Sequence, residues 1–244
     1  MTSPGPGKII ITGTGRAGTT LLVQLLTELG LDTGYTPETW RRDYNEHCAA
    51  GLEHDLADRS APQIVKNPAF CETLPDLLAH GRVKVEHAII PVRALDHATF
   101  SRIRVGGKGE IPGGLTGTRE ASGQKAALAE NFHSLVHTLT VHDIPLTFLE
   151  FPRFARDAGY TRNKLRWLVG GIEPAVFDAA FARVARTDLI HDFSAGLPTD
   201  AGQPALQYSR VRRNRRWRRH LERTLVWAGL VGLGWTLAAW YLAR

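Results

Sequence analysis

Two hydrophobic periods follow one another along the chain, and their order predicts an α/β fold. Residues 8–12, Lys-Ile-Ile-Ile-Thr, form a β-branched run between a Pro/Gly-rich start and a Gly-rich turn, the pattern of a strand buried on both faces of a parallel sheet. Residues 19–29 then repeat leucine at helical spacing and stop at Gly30. Strand, glycine loop and helix in that order open an α/β fold. Residues 31–61 are weakly patterned and carry Trp40, Tyr44, His47 and His54, which predicts loop and short helix that line an acceptor site. A second strand is expected at 63–66, stopped by Asn67-Pro68, then a helix over 72–79, a strand over 83–92 and a helix over 96–105. Residues 106–123 are Gly-rich without a period, a long loop of the kind that carries function in a compact domain. Helical spacing returns over 122–141, a fourth strand over 146–151, and helices over 161–169 and 174–186. The sum is a three-layer fold, a parallel sheet flanked by helices.

Length and charge refine this picture. A chain of 244 residues buries one good core, so one domain with appendages is expected. The net charge is +6, but residues 210–244 hold nine arginines against the single Glu222, which leaves the rest slightly acidic at about −2. The basicity belongs to the tail, and a nucleic-acid-binding body is disfavoured. The cysteines, Cys48 and Cys71, have the spacing of neither a disulfide framework nor a zinc site, and no apolar leader precedes the first strand, so a reducing, cytosolic body is expected.

Residues 188–209 read as a polar linker that closes a domain over 1–209, and 210–223 as a basic juxtamembrane segment. Residues 224–243 carry no charge over 20 positions, about 30 Å as a helix, the thickness of a bilayer core. Trp227 near one end, Trp240 and Tyr241 near the other, and arginines before the run suit a C-terminal anchor with the domain facing the cytoplasm. Gly229, Gly232 and Gly234 lower its hydrophobicity, so a helix lying on anionic lipid, or packed on the domain or a partner chain, stays open.

The chemistry concentrates in Gly13-Thr14-Gly15-Arg16-Ala17-Gly18-Thr19-Thr20, where glycines permit a tight turn and a helix N-terminus follows, a cradle for an anion. A Walker A loop needs lysine where this chain has Thr19. The loop instead resembles that of the sulfotransferases that use 3′-phosphoadenosine 5′-phosphosulfate, in which a basic residue stands two positions before the glycine and two hydroxyl residues follow it. Arg93 at the end of the third strand and Ser101 eight residues later resemble that family's grip on the 3′-phosphate, and Lys66 before Asn67-Pro68 matches its lysine on the sulfuryl oxygens. The resemblance covers roughly residues 8–185. It departs in having Arg16 where many relatives have lysine, and in lacking a recognisable Gly-rich final segment.

What the resemblance implies is transfer of a sulfuryl group to a hydroxyl of a carbohydrate, lipid or small molecule. Arg16 and Lys66 would be catalytic, the donor would be held by Gly15, Arg16, Ala17, Gly18, Thr19, Thr20, Arg93 and Ser101, and no metal is needed. Spacing selects no general base among Glu38, Asp43, His47, His54 and Glu72. Asp96 beside His97 reads as an acidic residue at a helix N-terminus rather than as a metal site. A P-loop kinase would use a similar cradle but needs the missing lysine and acidic magnesium ligands. A non-catalytic membrane adaptor that keeps a degenerate nucleotide fold is the third alternative.

Overall fold

The computed structural model describes residues 7–45, 49–106, 113–118 and 120–191. The chain divides into two units, Met1–Pro204 and Ala205–Arg244, and every described residue belongs to the first. His47, Cys48, the basic segment 210–223 and the apolar run 224–243 lie outside the described residues. Among the described residues no helix is long and apolar enough to cross a membrane.

The elements are β1 (Lys8–Ile11), α1 (Thr19–Glu28), α2 (Pro37–Asp43), β2 (Ile64–Lys66), α3 (Phe70–Ala79), β3 (Val85–Arg93), α4 (Leu95–Val105), α5 (Gln124–Val141), β4 (Leu146–Phe151), α6 (Arg153–Arg156), α7 (Ala158–Lys164), α8 (Arg166–Val169) and α9 (Pro174–Val184). The four strands among the described residues are parallel, in the order β2-β1-β3-β4. Side chains alternate across β1, because successive residues of a strand face opposite ways. Ile9 and Ile11 join a core built with α1, Trp40, Phe154 and α9, whereas Ile10 joins a second core with Val65, Leu74 and Leu135 from β2, α3 and α5. Helices therefore cover both faces of the sheet.

One expectation is met by a short helix and another is not met. The loop before β2 contains α2, which starts where Thr36 and Thr39 form a reciprocal capping box and Pro37 occupies the first turn. The single helix expected over 161–169 is instead three short ones beginning at Arg153. Asp157 caps the second by accepting from the Tyr160 N–H at 2.8 Å, and the fully buried Leu165 marks the break before the third. These helices also cover the open edge of β4. The Glu150 N–H donates to the Tyr160 hydroxyl (3.1 Å) and Trp167 Nε1 donates to Thr147 Oγ1 (3.1 Å).

The order of the strands places the site. The chain leaves β1 for β2 on one side and then crosses to β3 on the other, so the C-terminal ends of β1 and β3 flank a crevice at which open α/β sheets bind ligands. The loop 12–18 and Arg93 stand at those two ends.

Burial also sets a pH limit on stability. It holds the imidazoles of His54, His87 and His191 below the ordinary histidine value. The unfolded chain therefore takes up protons first, near the usual value of about 6.5, and stability present above that pH is lost as pH falls through the depressed folded values. The urea midpoint should drop below about pH 6.5, and drop less in His87→Gln, whose ring stacks on Trp167 at 3.8 Å. An identical pH dependence in that variant would remove His87 from the account.

Candidate functional site

The loop after β1 is held in a backbone shape that few residues adopt. Gly13, Gly15, Arg16 and Gly18 all have positive φ, at 137°, 70°, 56° and 82°. For Arg16 this left-handed conformation costs roughly 1–3 kcal/mol, strain of the kind that functional loops retain. Gly18 is the N-cap of α1 and no side chain caps the helix, so the first N–H groups of α1 have no intrahelical acceptor. Thr19 and Thr20 follow, both buried.

A side chain at Gly18 has no room. A Cβ there would lie 2.6 Å from Phe154 Cζ and 3.1 Å from Phe151 Cδ2. Gly18→Ala is expected to destabilise the fold by about 2–4 kcal/mol, from overpacking together with the left-handed backbone, as measured by urea unfolding.

Residues far apart in sequence meet at this loop. Arg16 Nε donates to Ser101 Oγ on α4 at 3.0 Å, and Arg93 Nη1 donates to the Arg16 carbonyl at 3.1 Å. Arg93 Nη2 donates to the His191 carbonyl at 2.5 Å, and its guanidinium lies 5.0 Å from the centre of the Phe151 ring. Lys66, only 2% exposed, donates to Thr20 Oγ1 (3.3 Å), the Gly51 carbonyl (2.8 Å) and Glu53 Oε1 (2.6 Å). The residues expected to act together, Arg16, Thr20, Lys66, Arg93 and Ser101, are thus joined through side chains or the loop backbone. Their field is positive: besides burial, the charges of Arg104, Arg16 and Arg93 hold His191 below its ordinary value.

Two site residues were not foreseen. Arg102 is buried and braces the loop, donating from Nε (2.9 Å) and Nη2 (2.5 Å) to the Thr14 carbonyl and from Nη1 to the Gly114 carbonyl. Gly15 makes room for it, because a Cβ there would lie 2.5 Å from Arg102 Nη2. Burial first, and then Arg16, pulls Arg102 down to about 10, so it stays charged at neutral pH. In the sequence it is one of two arginines on α4, with Arg104, and only its place beside Ser101 hints at a role. Glu53, the partner of Lys66, has no motif around it.

The Gly-rich segment also comes to the site. A Cβ on Gly113 would lie 2.9 Å from Arg16 Cδ, so this turn packs against the arginine side chain. Beneath the loop, Cys71 Sγ donates to the Gly13 carbonyl at 3.2 Å, and burial pushes its thiol up to about 11, which leaves it un-ionised at neutral pH.

The other candidates make their side-chain contacts outside the loop. His54 turns its ring toward Tyr35, at 4.9 Å between centres, and toward Gly34, while its backbone N–H pairs with the Lys66 carbonyl. Glu38 accepts from the Thr36 hydroxyl in the exposed first turn of α2, and Asp43 is bonded by Arg42. Glu72 accepts from Thr116 Oγ1 and Asn131 Nδ2. Asp96 pairs with Lys125 at 2.6 Å. Among the described residues no three His, Cys, Asp or Glu side chains converge as a metal site.

The chain is similar to a solved sulfotransferase domain. That structure, a sulfotransferase domain from the curacin biosynthetic pathway, shares 14% identity, with 71% of this chain and 77% of that chain covered and a TM-score of 0.43. No protein-family model and no curated protein matches the chain.

Proposed function

We propose that this protein is a sulfotransferase that moves the sulfuryl group of 3′-phosphoadenosine 5′-phosphosulfate to an acceptor hydroxyl on a P-loop-like α/β domain. The observation that carries this reading is the junction of Arg16, Arg93 and Ser101, with Arg16 Nε on Ser101 Oγ at 3.0 Å and Arg93 Nη1 on the Arg16 carbonyl at 3.1 Å. A nucleotide with phosphates at both 5′ and 3′ positions calls for two anion sites side by side. The uncapped start of α1 suits the 5′-phosphate. The Arg93 fork with the Ser101 hydroxyl suits the 3′-phosphate.

The acceptor oxygen attacks sulfur in line, the bond from sulfur to the oxygen of the 5′-phosphate breaks, and the hydroxyl proton leaves to a base. Charge gathers on the departing oxygen, where Arg16 and Lys66 stabilise it. Glu53, 2.6 Å from Lys66 Nζ with its side chain 29% exposed, is the carboxylate at the lysine's side of the cradle. The run 224–243 attaches the domain to a membrane on its cytoplasmic face, a reading supported by its length, lack of charge and preceding arginines.

Transfer of label from the ³⁵S-labelled donor to a panel of hydroxyl acceptors, with release of 3′-phosphoadenosine 5′-phosphate, tests the activity. Transfer that disappears in Arg16→Ala supports the reading. Transfer of a γ-phosphoryl group from magnesium ATP instead would overturn it.

A further inference from the structure

A cavity of about 530 Å³ lies along α6, α7 and α8, lined by Arg153, Asp157, Tyr160, Asn163, Lys164 and Arg166. Three cations face one carboxylate there, and that carboxylate is already engaged: Asp157 Oδ1 caps α7 on the Tyr160 N–H at 2.8 Å, while Oδ2 stands 3.8 Å from Arg153 Nε. Among the described residues, Lys164 and Arg166 have no carboxylate within ion-pair distance.

The cluster is exposed to solvent, but ring contacts and core residues restrain it. The Arg153 guanidinium sits 4.3 Å from the centre of the Tyr160 ring, with Lys164 Nζ at 5.9 Å, and the Glu150 N–H fixes the Tyr160 hydroxyl. Fully buried Phe154, Thr161 and Leu165 root the same helices in the core. Like charges gathered on a rigid concave surface repel one another, and the fold gains nothing from that repulsion. A bound anion relieves it.

The cavity is linked to the cradle through α6, one of whose residues reaches the loop from the core. Phe154, next to Arg153, is the residue whose ring closes over Gly18. We infer that this cavity is a second oxyanion site, which takes a phosphate or sulfate ester of a soluble acceptor while the acceptor's hydroxyl reaches the cradle. The role as an acceptor site rests on the sulfotransferase reading; the binding of anions does not.

Calorimetric titration of the intact chain with sucrose octasulfate, in the presence of saturating 3′-phosphoadenosine 5′-phosphate, tests it. Lys164→Ala/Arg166→Ala should weaken that binding about tenfold or more, through loss of two charged contacts, with its thermal midpoint and nucleotide affinity unchanged. A control, Arg82→Ala/Lys84→Ala, removes two exposed charges near the opposite end of β3 and should change it less than about twofold. Equal loss in both variants, or no loss in the first, would overturn the site. Failure of nucleotide to bind while the octasulfate still distinguishes the two variants would remove the donor reading and leave the anion site standing.

Discussion

Arg93→Ala is expected to weaken binding of 3′-phosphoadenosine 5′-phosphate by about 100-fold while leaving adenosine 5′-diphosphate within about threefold. The guanidinium is fixed before any ligand arrives, by the carbonyls of Arg16 and His191 and by the face of Phe151. Two charge-assisted hydrogen bonds to a phosphate, at about 1.5 kcal/mol each, correspond to about two orders of magnitude. Because the loss belongs to the 3′-phosphate, a nucleotide without that group should barely register it. Arg93→Lys should recover only part of the affinity, since an ammonium keeps the charge but not the fork. Equal weakening of both nucleotides would show that the substitution had collapsed the loop, whose Arg16 carbonyl Arg93 holds.

Lys66 and Glu53 should respond unequally, although they form one ion pair. Lys66→Met is expected to lower turnover by about 10² to 10³, with nucleotide affinity changed only a few-fold, because the lysine acts on charge that develops during transfer. Its effect on stability should be small: the methionine fills a buried, 2% exposed position, and Glu53, left behind, can be solvated. Glu53→Gln leaves the cation buried without its counter-charge and should cost about 3 kcal/mol of stability in urea unfolding. The double substitution should recover most of that stability and none of the turnover. If Lys66→Met proves the more destabilising of the two single changes, the pair is structural and Lys66 is not poised for chemistry.

The parts of the fold that were legible in the sequence are those written in short-range patterns. Each strand falls where β-branched or apolar runs meet a turn residue, and α1 follows from leucine spacing closed by Gly30. The three helices α6 to α8 were not legible as separate elements, because their breaks depend on an Asp157 cap and on Leu165 reaching the core, both facts of tertiary contact. Arg16, Arg93 and Ser101 were singled out by motif and spacing, and the structure brings them together through hydrogen bonds that follow from the adjacency of β1 and β3. Arg102 and Glu53 escaped for the opposite reason. One looks like any arginine on a helix and the other like any surface acid until the fold turns the first under Thr14 and brings the second to Lys66.

The central claim is that the cradle and the Arg93–Ser101 pair together select a nucleotide phosphorylated at both ends of its ribose. Isothermal titration of the intact chain with 3′-phosphoadenosine 5′-phosphate, adenosine 5′-diphosphate and magnesium ATP tests it most directly. The predicted result is tight binding of the first that exceeds the others by about 100-fold, a preference abolished in Arg93→Ala. Preference for magnesium ATP, or equal affinity for all three, would contradict it.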